Sequence, residues 1–507
     1  MSSIEVGGGV AGLAVTLEEL EDAAARLRTL ADDLLEVVLS IGRLSADPAL
    51  AAAGALAPAE LLEVERVLAS AAGPGGAAGS AARLLATGTV TDLAVRAYRR
   101  GEDVAGRLAD EAATAVGAWA GTAVGSALGG IGPPVVGVGA LAVPVVGAAL
   151  ATPVGAAIGE DVQEAVTGVG HSVGGEVDEV LFDQPWLVPA AADGLDGFVT
   201  GLGGGLPPLG AWLGWRSARA GVAYPPRTRK EALRVIVAAA SGTALDESGR
   251  RVRVRAHGAP RHVPAPHSLG DLVAPDGPTS GRDRLRVTGI PGPDGRWRWI
   301  VDLPGTQSFD PRAGENPWDL TSDVLLSARG TSLTSRGAAR ALDDARARTG
   351  APRSGPVMLT GHSQGGLTAA ALAADPRFRE DHDVTHVVTS GAPIGQVPVP
   401  EGVSVLSLEH EEDLVAGLDG APNPDRADWV TIRRSLAEDL GADAGATDAH
   451  ALGEYTETAG LVDASDHPSV RAWREGAAPF LGDPDRLLAP DAPEVVVIDY
   501  DIERVLE

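Results

Sequence analysis

The chain contains no cysteine, and this absence excludes several kinds of chemistry. A protein of 507 residues without cysteine forms no disulfide, has no thiolate nucleophile and binds no zinc through sulfur. Lysine is almost absent too: Lys230 is the single example, and every other basic residue is arginine. With so much alanine and glycine, this bias indicates a GC-rich coding sequence rather than a functional choice.

Positive charge is scarce in general. Lysine and arginine total 41 against 69 aspartates and glutamates, which gives a formal net charge of −28. Nucleic-acid-binding proteins need a basic face, and anionic lipid surfaces attract basic patches. The composition therefore argues against a nucleic-acid partner and favours an acidic, self-repelling surface.

The N-terminal stretch MSSIEVGGGVAGLAV has an acidic residue, and no lysine or arginine precedes its apolar part. A secretory signal peptide needs a positively charged start, so we expect none here. The sequence is compatible with a cytoplasmic protein or with export by a route that does not read such a signal.

Three segments of the chain differ in composition and in the spacing of their apolar residues. Hydrophobic residues make up 44% of the chain, enough for a large core, and the length fits two or three domains. We predict a helical bundle over residues 1–105, a Gly/Ala-rich hydrophobic helical hairpin and linker over 106–220, and an α/β domain over 221–507.

Apolar residues at spacings of three and four predict helices in the first segment, for example over residues 17–44 and, beginning at Pro58, over 58–72. Such a bundle is typical of an interaction module. Near its end, Tyr98 precedes Glu102 by four residues in YRRGE, and this resembles a signal in substrates of type VII secretion systems. The resemblance implies a contact of these helices with secretion machinery or a chaperone.

Residues 112–159 carry no charged side chain, and glycines recur every four residues, as at Gly117, Gly121, Gly125 and Gly129. This spacing puts small residues on one helix face and permits close helix packing. The pattern resembles the glycine-zipper hairpins of membrane-active proteins, which implies membrane contact. A tightly packed hairpin in water explains the same pattern, so both interpretations stay open.

The sequence PVMLTGHSQGGLTAAALAAD places a glycine-flanked serine between an apolar run and a helical stretch. Gly361-His362-Ser363-Gln364-Gly365 matches G-x-S-x-G, the nucleophile elbow, in which a tight strand-to-helix turn exposes the serine hydroxyl. Side chains at 361 and 365 would collide in that turn. We therefore predict Ser363 as a nucleophile, with the backbone N–H of Gln364 as one donor of an oxyanion hole.

A serine nucleophile needs a base and an acid that orients it, which follow in the order serine, acid, histidine. The strand-like run VSVLSLE leads into Asp413, our predicted acid, and its rivals are Glu409, Glu411 and Glu412. His450 is the predicted base, and His467, before a proline at a helix start, is the alternative. We expect His362 to line the pocket.

Several motifs in this region resemble the class 3 lipases of the α/β-hydrolase fold. PGTQ ends an alternating run as Arg-Gly-Thr does in that family, with Thr306 matching the oxyanion threonine and Pro304 standing where the family has arginine. NPWDLTSDV, with Trp318 and Asp323, resembles an Asn-Trp-x-x-Asp stretch of the family, and DLV at Asp413 resembles its Asp-x-Val. HALGEY and TSGAPIG match further motifs, all in the right order.

The resemblance spans about residues 284–475 and implies an α/β-hydrolase fold with a mainly parallel sheet. It implies a Ser363–Asp413–His450 triad, an oxyanion hole from Thr306 and Gln364, an acyl ester or lipid substrate, and no metal or organic cofactor. We expect a serine ester hydrolase. An enzyme of this kind that acts as a secreted or membrane-directed effector is one version of this hypothesis. The alternative is a membrane-active or secretion-adaptor protein whose hydrolase domain only binds.

Overall fold

A computed structural model describes residues 4–11, 13–45, 49–50, 58–72, nine positions between 77 and 122, and 187–506 apart from 275–282, 293–294, 353, 442–443 and 483–493. The chain divides into two compact units, Leu13–Leu108 in one and Met1–Gly12 with Ala109–Glu507 in the other. The Tyr98–Glu102 signal and most of the 112–159 run lie outside the described residues.

The described helices lie where apolar periodicity or capping residues favour them. They are α1 (Leu13–Ser45), α2 (Pro58–Ala72), α3 (Leu187–Asp193), α4 (Leu195–Gly205), α5 (Pro207–Arg219), α6 (Arg229–Ala240), α7 (Leu269–Val273), α8 (Leu320–Arg329), α9 (Leu333–Thr349), α10 (Gln364–Ala374), α11 (Pro376–Asp381), α12 (Ala437–Leu440), α13 (Ala446–Ala449), α14 (Leu452–Asp463) and α15 (Pro468–Ala477). The first two agree with the predicted helices, and α2 begins at Pro58 as predicted.

The strands form one mixed sheet in the second unit. They are β1 (Glu5–Gly8), β2 (Arg250–Ala256), β3 (Arg261–Pro264), β4 (Leu285–Pro291), β5 (Trp297–Leu303), β6 (Pro356–His362), β7 (Asp383–Ser390), β8 (Ser404–His410), β9 (Trp429–Arg434) and β10 (Glu494–Leu506). Within the described residues their order is β1-β9-β8-β7-β6-β5-β4-β10-β2, and β3 also pairs with β10.

Strands β5 to β9 run parallel and form the centre of the sheet. The strands on either side, β1 and β4 with β10, β2 and β3, pair antiparallel. Because parallel strands need crossover helices, both faces of the centre are covered, and Val357, Met358 and Leu359 of β6 are fully buried. The predicted α/β class is confirmed, with the parallel strands at the centre of a mixed sheet.

The N-terminal residues belong to the sheet rather than to the helical region. Strand β1 pairs with β9. Its neighbour Ile4 and its own Val6 pack against a buried apolar cluster that includes Ile432 of β9. Gly8 ends the strand with φ of +67°, and a Cβ there would lie 2.2 Å from the Trp429 carbonyl oxygen. Glycine at this position lets the backbones of β1 and β9 approach closely. The predicted helical segment includes these residues, and the strand was not predicted.

Helices α4 and α5, in the segment predicted as a linker, pack against α6. Their buried Leu195, Val199 and Leu213 share one apolar cluster with Ala232 and Val235 of α6. This cluster joins a segment that the sequence assigned to the second region to the start of the third.

Two glycines of the 112–159 run make a close helix contact. A Cβ on Gly117 would lie 2.0 Å from the Gly194 carbonyl oxygen, and one on Gly121 would lie 2.1 Å from that of Phe198. Gly197 and Gly201 of α4 are equally close to the facing backbone. At these positions small residues serve helix–helix packing inside the unit. Among the helices that the structure describes, none is both long and apolar enough to cross a bilayer.

Candidate active site

Ser363 occupies a strained turn between β6 and α10. Its φ is 55° and its ψ is −124°, a region that non-glycine residues rarely adopt. A Cβ on Gly361 would lie 2.3 Å from the Gly365 carbonyl carbon, and one on Gly365 would lie 1.9 Å from the Leu303 carbonyl oxygen. The turn therefore has the strand–turn–helix context and the two glycines that the sequence predicts.

Asp413 and His450 form a hydrogen-bonded pair at the carboxyl side of the sheet. The Asp413 carboxylate, fully buried three residues after β8, lies 2.7 Å from His450 Nδ1. The Tyr455 hydroxyl donates to the same carboxylate oxygen at 2.6 Å, and the Val415 backbone N–H donates to the other at 2.8 Å. Three donors from separate elements thus fix the carboxylate that orients the imidazole.

His362 supports the His450 backbone from the position before Ser363. Its Nε2 lies 2.9 Å from the His450 carbonyl oxygen, and the two imidazole rings are 4.5 Å apart. Because a carbonyl only accepts, Nε2 carries the hydrogen. Burial, followed by the nearby His450, lowers the pKa of His362 to about 3, so it is neutral at ordinary pH. It lines the cavity as predicted, and it also ties the loop of His450 to the Ser363 turn.

The three rival carboxylates have other surroundings. Glu412 accepts from the Ser435 hydroxyl at 2.6 Å and from backbone N–H groups where α12 begins, which makes it a helix cap. Glu409 accepts from Asn423, and burial raises its pKa to about 7. Glu411 is exposed. Among the candidate acids, Asp413 is the one paired with His450.

The alternative base, His467, caps α15. Its ring accepts a hydrogen bond from the Ser469 backbone N–H at 3.3 Å, and Pro468 follows at the first position of the helix. This is the ordinary structural role of a residue before a helix.

A tyrosine and a histidine complete the acid–base region. His410 stacks on Tyr455 with ring centroids 3.8 Å apart, and its two nitrogens face the Ala449 carbonyl oxygen and the Thr458 hydroxyl, each at 2.8 Å. Burial lowers the pKa of His410. The HALGEY motif pointed to Tyr455, but no sequence signal assigned His410 to this packing.

The predicted oxyanion loop lies beside Ser363. A Cβ on Gly305 would lie 3.5 Å from the Ser363 Cβ, and the Thr306 hydroxyl donates to the Asp323 carboxylate at 2.9 Å. Burial raises the pKa of Asp323 to about 7. The Asp323 side chain, which the sequence singled out only by resemblance, therefore contacts the threonine of the predicted oxyanion loop.

Backbone hydrogen bonds hold this loop to the segment before α8. The Gln307 N–H donates to the Trp318 carbonyl at 2.8 Å, and the Leu320 N–H donates to the Ser308 carbonyl at 2.9 Å. Pro304, at the departure from the family pattern, lies next to the elbow, since its carbonyl oxygen would be 3.0 Å from a Cβ on Gly365. The loop is thus fixed by backbone contacts at both ends.

A cavity of about 490 Å³ opens beside the elbow at the carboxyl ends of the central strands. Its wall combines polar and apolar residues, among them Leu303, Thr306, His362, Ser390 and Leu452. The volume is that of a small-molecule site, and the ends of parallel strands are where such sites occur. Within the described part of the chain, no group of three or more histidines and carboxylates is arranged to hold a metal ion.

Comparisons of the chain with protein-family models, with curated proteins and with solved structures give no match.

Proposed function

We propose that the chain is a serine ester hydrolase with the α/β-hydrolase architecture of the class 3 lipases. The observation that carries the proposal is the strained Ser363 turn together with the buried Asp413–His450 pair, which is tied to that turn through His362. A side chain in a costly backbone conformation points to function. A buried carboxylate that holds an imidazole is the arrangement that activates a serine.

In the proposed reaction, His450 takes the Ser363 proton as the hydroxyl oxygen attacks the ester carbonyl. Asp413 orients the imidazole and stabilises its cation, while the backbone N–H groups of Thr306 and Gln364 hold the oxyanion, because the Thr306 hydroxyl hydrogen goes to Asp323. The C–O bond to the alcohol then breaks, and His450 gives the alcohol its proton. Water, deprotonated by His450, hydrolyses the acyl-enzyme and releases the acid.

The cavity supports an acyl ester as the substrate class. Its wall includes apolar Leu272, Val273, Val388 and Leu452, which suit an acyl chain, as well as the carboxylates Asp283 and Asp302. Polar Thr306 and Gln307 of the oxyanion loop also line the cavity and suit the ester group. A wall of these two characters matches a substrate with an apolar acyl portion and a polar reacting centre.

Hydrolysis of short-chain and long-chain p-nitrophenyl esters by the full chain tests the proposal. We expect turnover by the parent and losses of roughly four to six orders of magnitude in kcat for Ser363→Ala and His450→Ala. His467→Ala is the matched control, because it removes a helix cap and should leave kcat within about twofold while lowering stability by about 1 kcal/mol. A parent without turnover on any ester, also with detergent or liposomes, would favour the non-catalytic adaptor.

A further inference from the structure

Arg504 of β10 is a buried cation that bonds to two carboxylates and also donates to the Ser322 hydroxyl and to the carbonyl oxygens of Gly314 and Asn316. Its side chain has no exposed surface. The guanidinium binds the Asp319 carboxylate through two nitrogens at 2.7 and 3.0 Å and reaches Glu247 at 2.6 Å. A two-pronged arginine–carboxylate contact fixes orientation as well as charge, and only arginine forms it.

Asp319 connects this cation to the residue after the nucleophile. Its carboxylate caps α8 by accepting from the Ser322 backbone N–H at 3.0 Å. Its own backbone carbonyl accepts from Gln364 Nε2 at 2.8 Å. A continuous series of contacts therefore leads from Arg504 through Asp319 to Gln364, whose N–H is the proposed oxyanion donor.

The first turn of α8 also holds the second proposed donor. The Thr306 hydroxyl bonds to Asp323, which lies in that turn, and the backbone around Ser308 pairs with Leu320 at its start. Both proposed donors are thus attached to the N-terminal end of one helix. A displacement of that end moves both donors relative to Ser363.

We propose that Arg504 is a positioning residue of the oxyanion hole, acting through Asp319 on Gln364. The inference rests on the proposed function, because an oxyanion hole has a role only if Ser363 attacks a carbonyl. Catalysis is sensitive to the placement of such donors, and a misplacement of about 1 Å costs about a hundredfold in rate. A purely structural arginine would affect stability and leave the turnover of folded molecules unchanged.

A double-mutant cycle on ester hydrolysis distinguishes these two roles. Arg504→Lys keeps the charge but loses the two-pronged contact, and Gln364→Leu loses the side-chain tether but keeps the backbone N–H. We expect each to lower kcat about 10- to 100-fold with KM within about threefold, as for a misplaced donor. If both act through one contact series, the double variant should be no slower than the slower single variant.

Glu503→Gln is the matched control on the same strand. Glu503 pairs with Arg253 at 3.1 Å, both side chains are well exposed, and the pair does not reach the site. Its kcat and KM should equal those of the parent. Asp319→Asn, which keeps the backbone carbonyl and the cap but weakens the hold of Arg504, takes the place of Arg504→Lys in the cycle if that variant does not fold.

The outcomes separate this inference from the proposed function. An active parent with effects that multiply in the double variant, or a folded Arg504→Lys with the parent kcat, overturns the positioning role alone. A parent without hydrolysis overturns the proposed function and this inference together.

Discussion

The acid–base side and the oxyanion side of the candidate site are held in different ways. On the acid–base side, defined by Asp413, His450 and Tyr455, the groups contact one another directly where β8 and α14 meet. On the oxyanion side, defined by Thr306, Gln364 and the start of α8, each group is held by a residue that has no part in the chemistry. The first arrangement depends on a few short hydrogen bonds, and the second on a buried ion network that reaches β10.

The largest difference should appear when neighbouring acids on the acid–base side are changed. Asp413→Asn keeps the shape but allows the wrong His450 tautomer, so we expect kcat to fall about 10⁴-fold. Glu412→Gln should leave kcat within a few-fold and lower the melting temperature, because Glu412 caps α12. Steady-state kinetics and thermal melts of both variants check this. Equal loss of kcat in both would remove the distinction between the two acids.

A single added methyl group at Gly365 should disrupt the nucleophile elbow. A Cβ on Gly365 would lie 1.9 Å from the Leu303 carbonyl oxygen, so Gly365→Ala should cost more than about 3 kcal/mol or prevent folding. Gly460 is an exposed position of α14, and apart from its own helix backbone no atom lies within 4 Å of its Cβ position. Gly460→Ala should stabilise the protein by about 0.5–1 kcal/mol. Urea unfolding compares the two, and a stable, active Gly365→Ala protein would contradict the elbow geometry.

A smaller effect should follow from removing one donor to the catalytic carboxylate. Tyr455→Phe loses the 2.6 Å bond to Asp413 but keeps the ring that stacks on His410. A hydrogen bond to a charged group contributes about 1.5–3 kcal/mol, so we expect kcat to fall by roughly 10- to 150-fold at most, with KM unchanged. Unchanged kcat would show that the His450 and Val415 contacts alone orient the carboxylate.

On the oxyanion side, buried Asp323 should make the free energy of unfolding depend on pH. Unfolded Asp323 ionises near 3.8, whereas burial raises its folded pKa to about 7. Between these values the folded state binds more protons, so the free energy of unfolding falls as pH rises, and the cost is complete above pH 7. Asp323→Asn removes this cost and can still accept from Thr306.

We therefore expect Asp323→Asn to raise the melting temperature relative to the parent by more at pH 8 than at pH 4. Glu409, whose pKa burial also raises to about 7, is present in both proteins and cancels in the difference. Melting curves at four or five pH values measure it. A difference in melting temperature that does not change with pH would mean that Asp323 ionises in the folded state as it does in the unfolded chain.

The acid–base side could be predicted largely from the sequence because its signals are local. The elbow places Ser363, the position just after a strand places Asp413, and the resemblance of HALGEY to a lipase motif places His450. The role of His467 followed from a proline at a helix start. Chain order and these short motifs suffice to choose the two residues, and the structure brings Asp413 and His450 together at 2.7 Å.

The support of the oxyanion side could not be predicted, because its members are distant in the sequence. In the sequence, Glu247, Asp319 and Arg504 are ordinary charged residues. Only the position of β10 between β4 and β2 buries the arginine against the two carboxylates. Strand β1 could not be predicted either, because its pairing with β9 is a long-range contact that the spacing of apolar residues does not indicate. Gly117 and Gly121 had the spacing for close packing, but only the fold shows that α4 is their partner.

Reaction of the full chain with a fluorophosphonate, followed by mass spectrometry, tests the central claim most directly, because it requires no knowledge of the natural ester. Our account predicts one phosphonyl adduct on Ser363, none in Ser363→Ala, and labelling slower by orders of magnitude in His450→Ala. A parent that stays unlabelled under conditions where it is folded, or that is labelled on another residue, would contradict the assignment of Ser363 as an activated nucleophile.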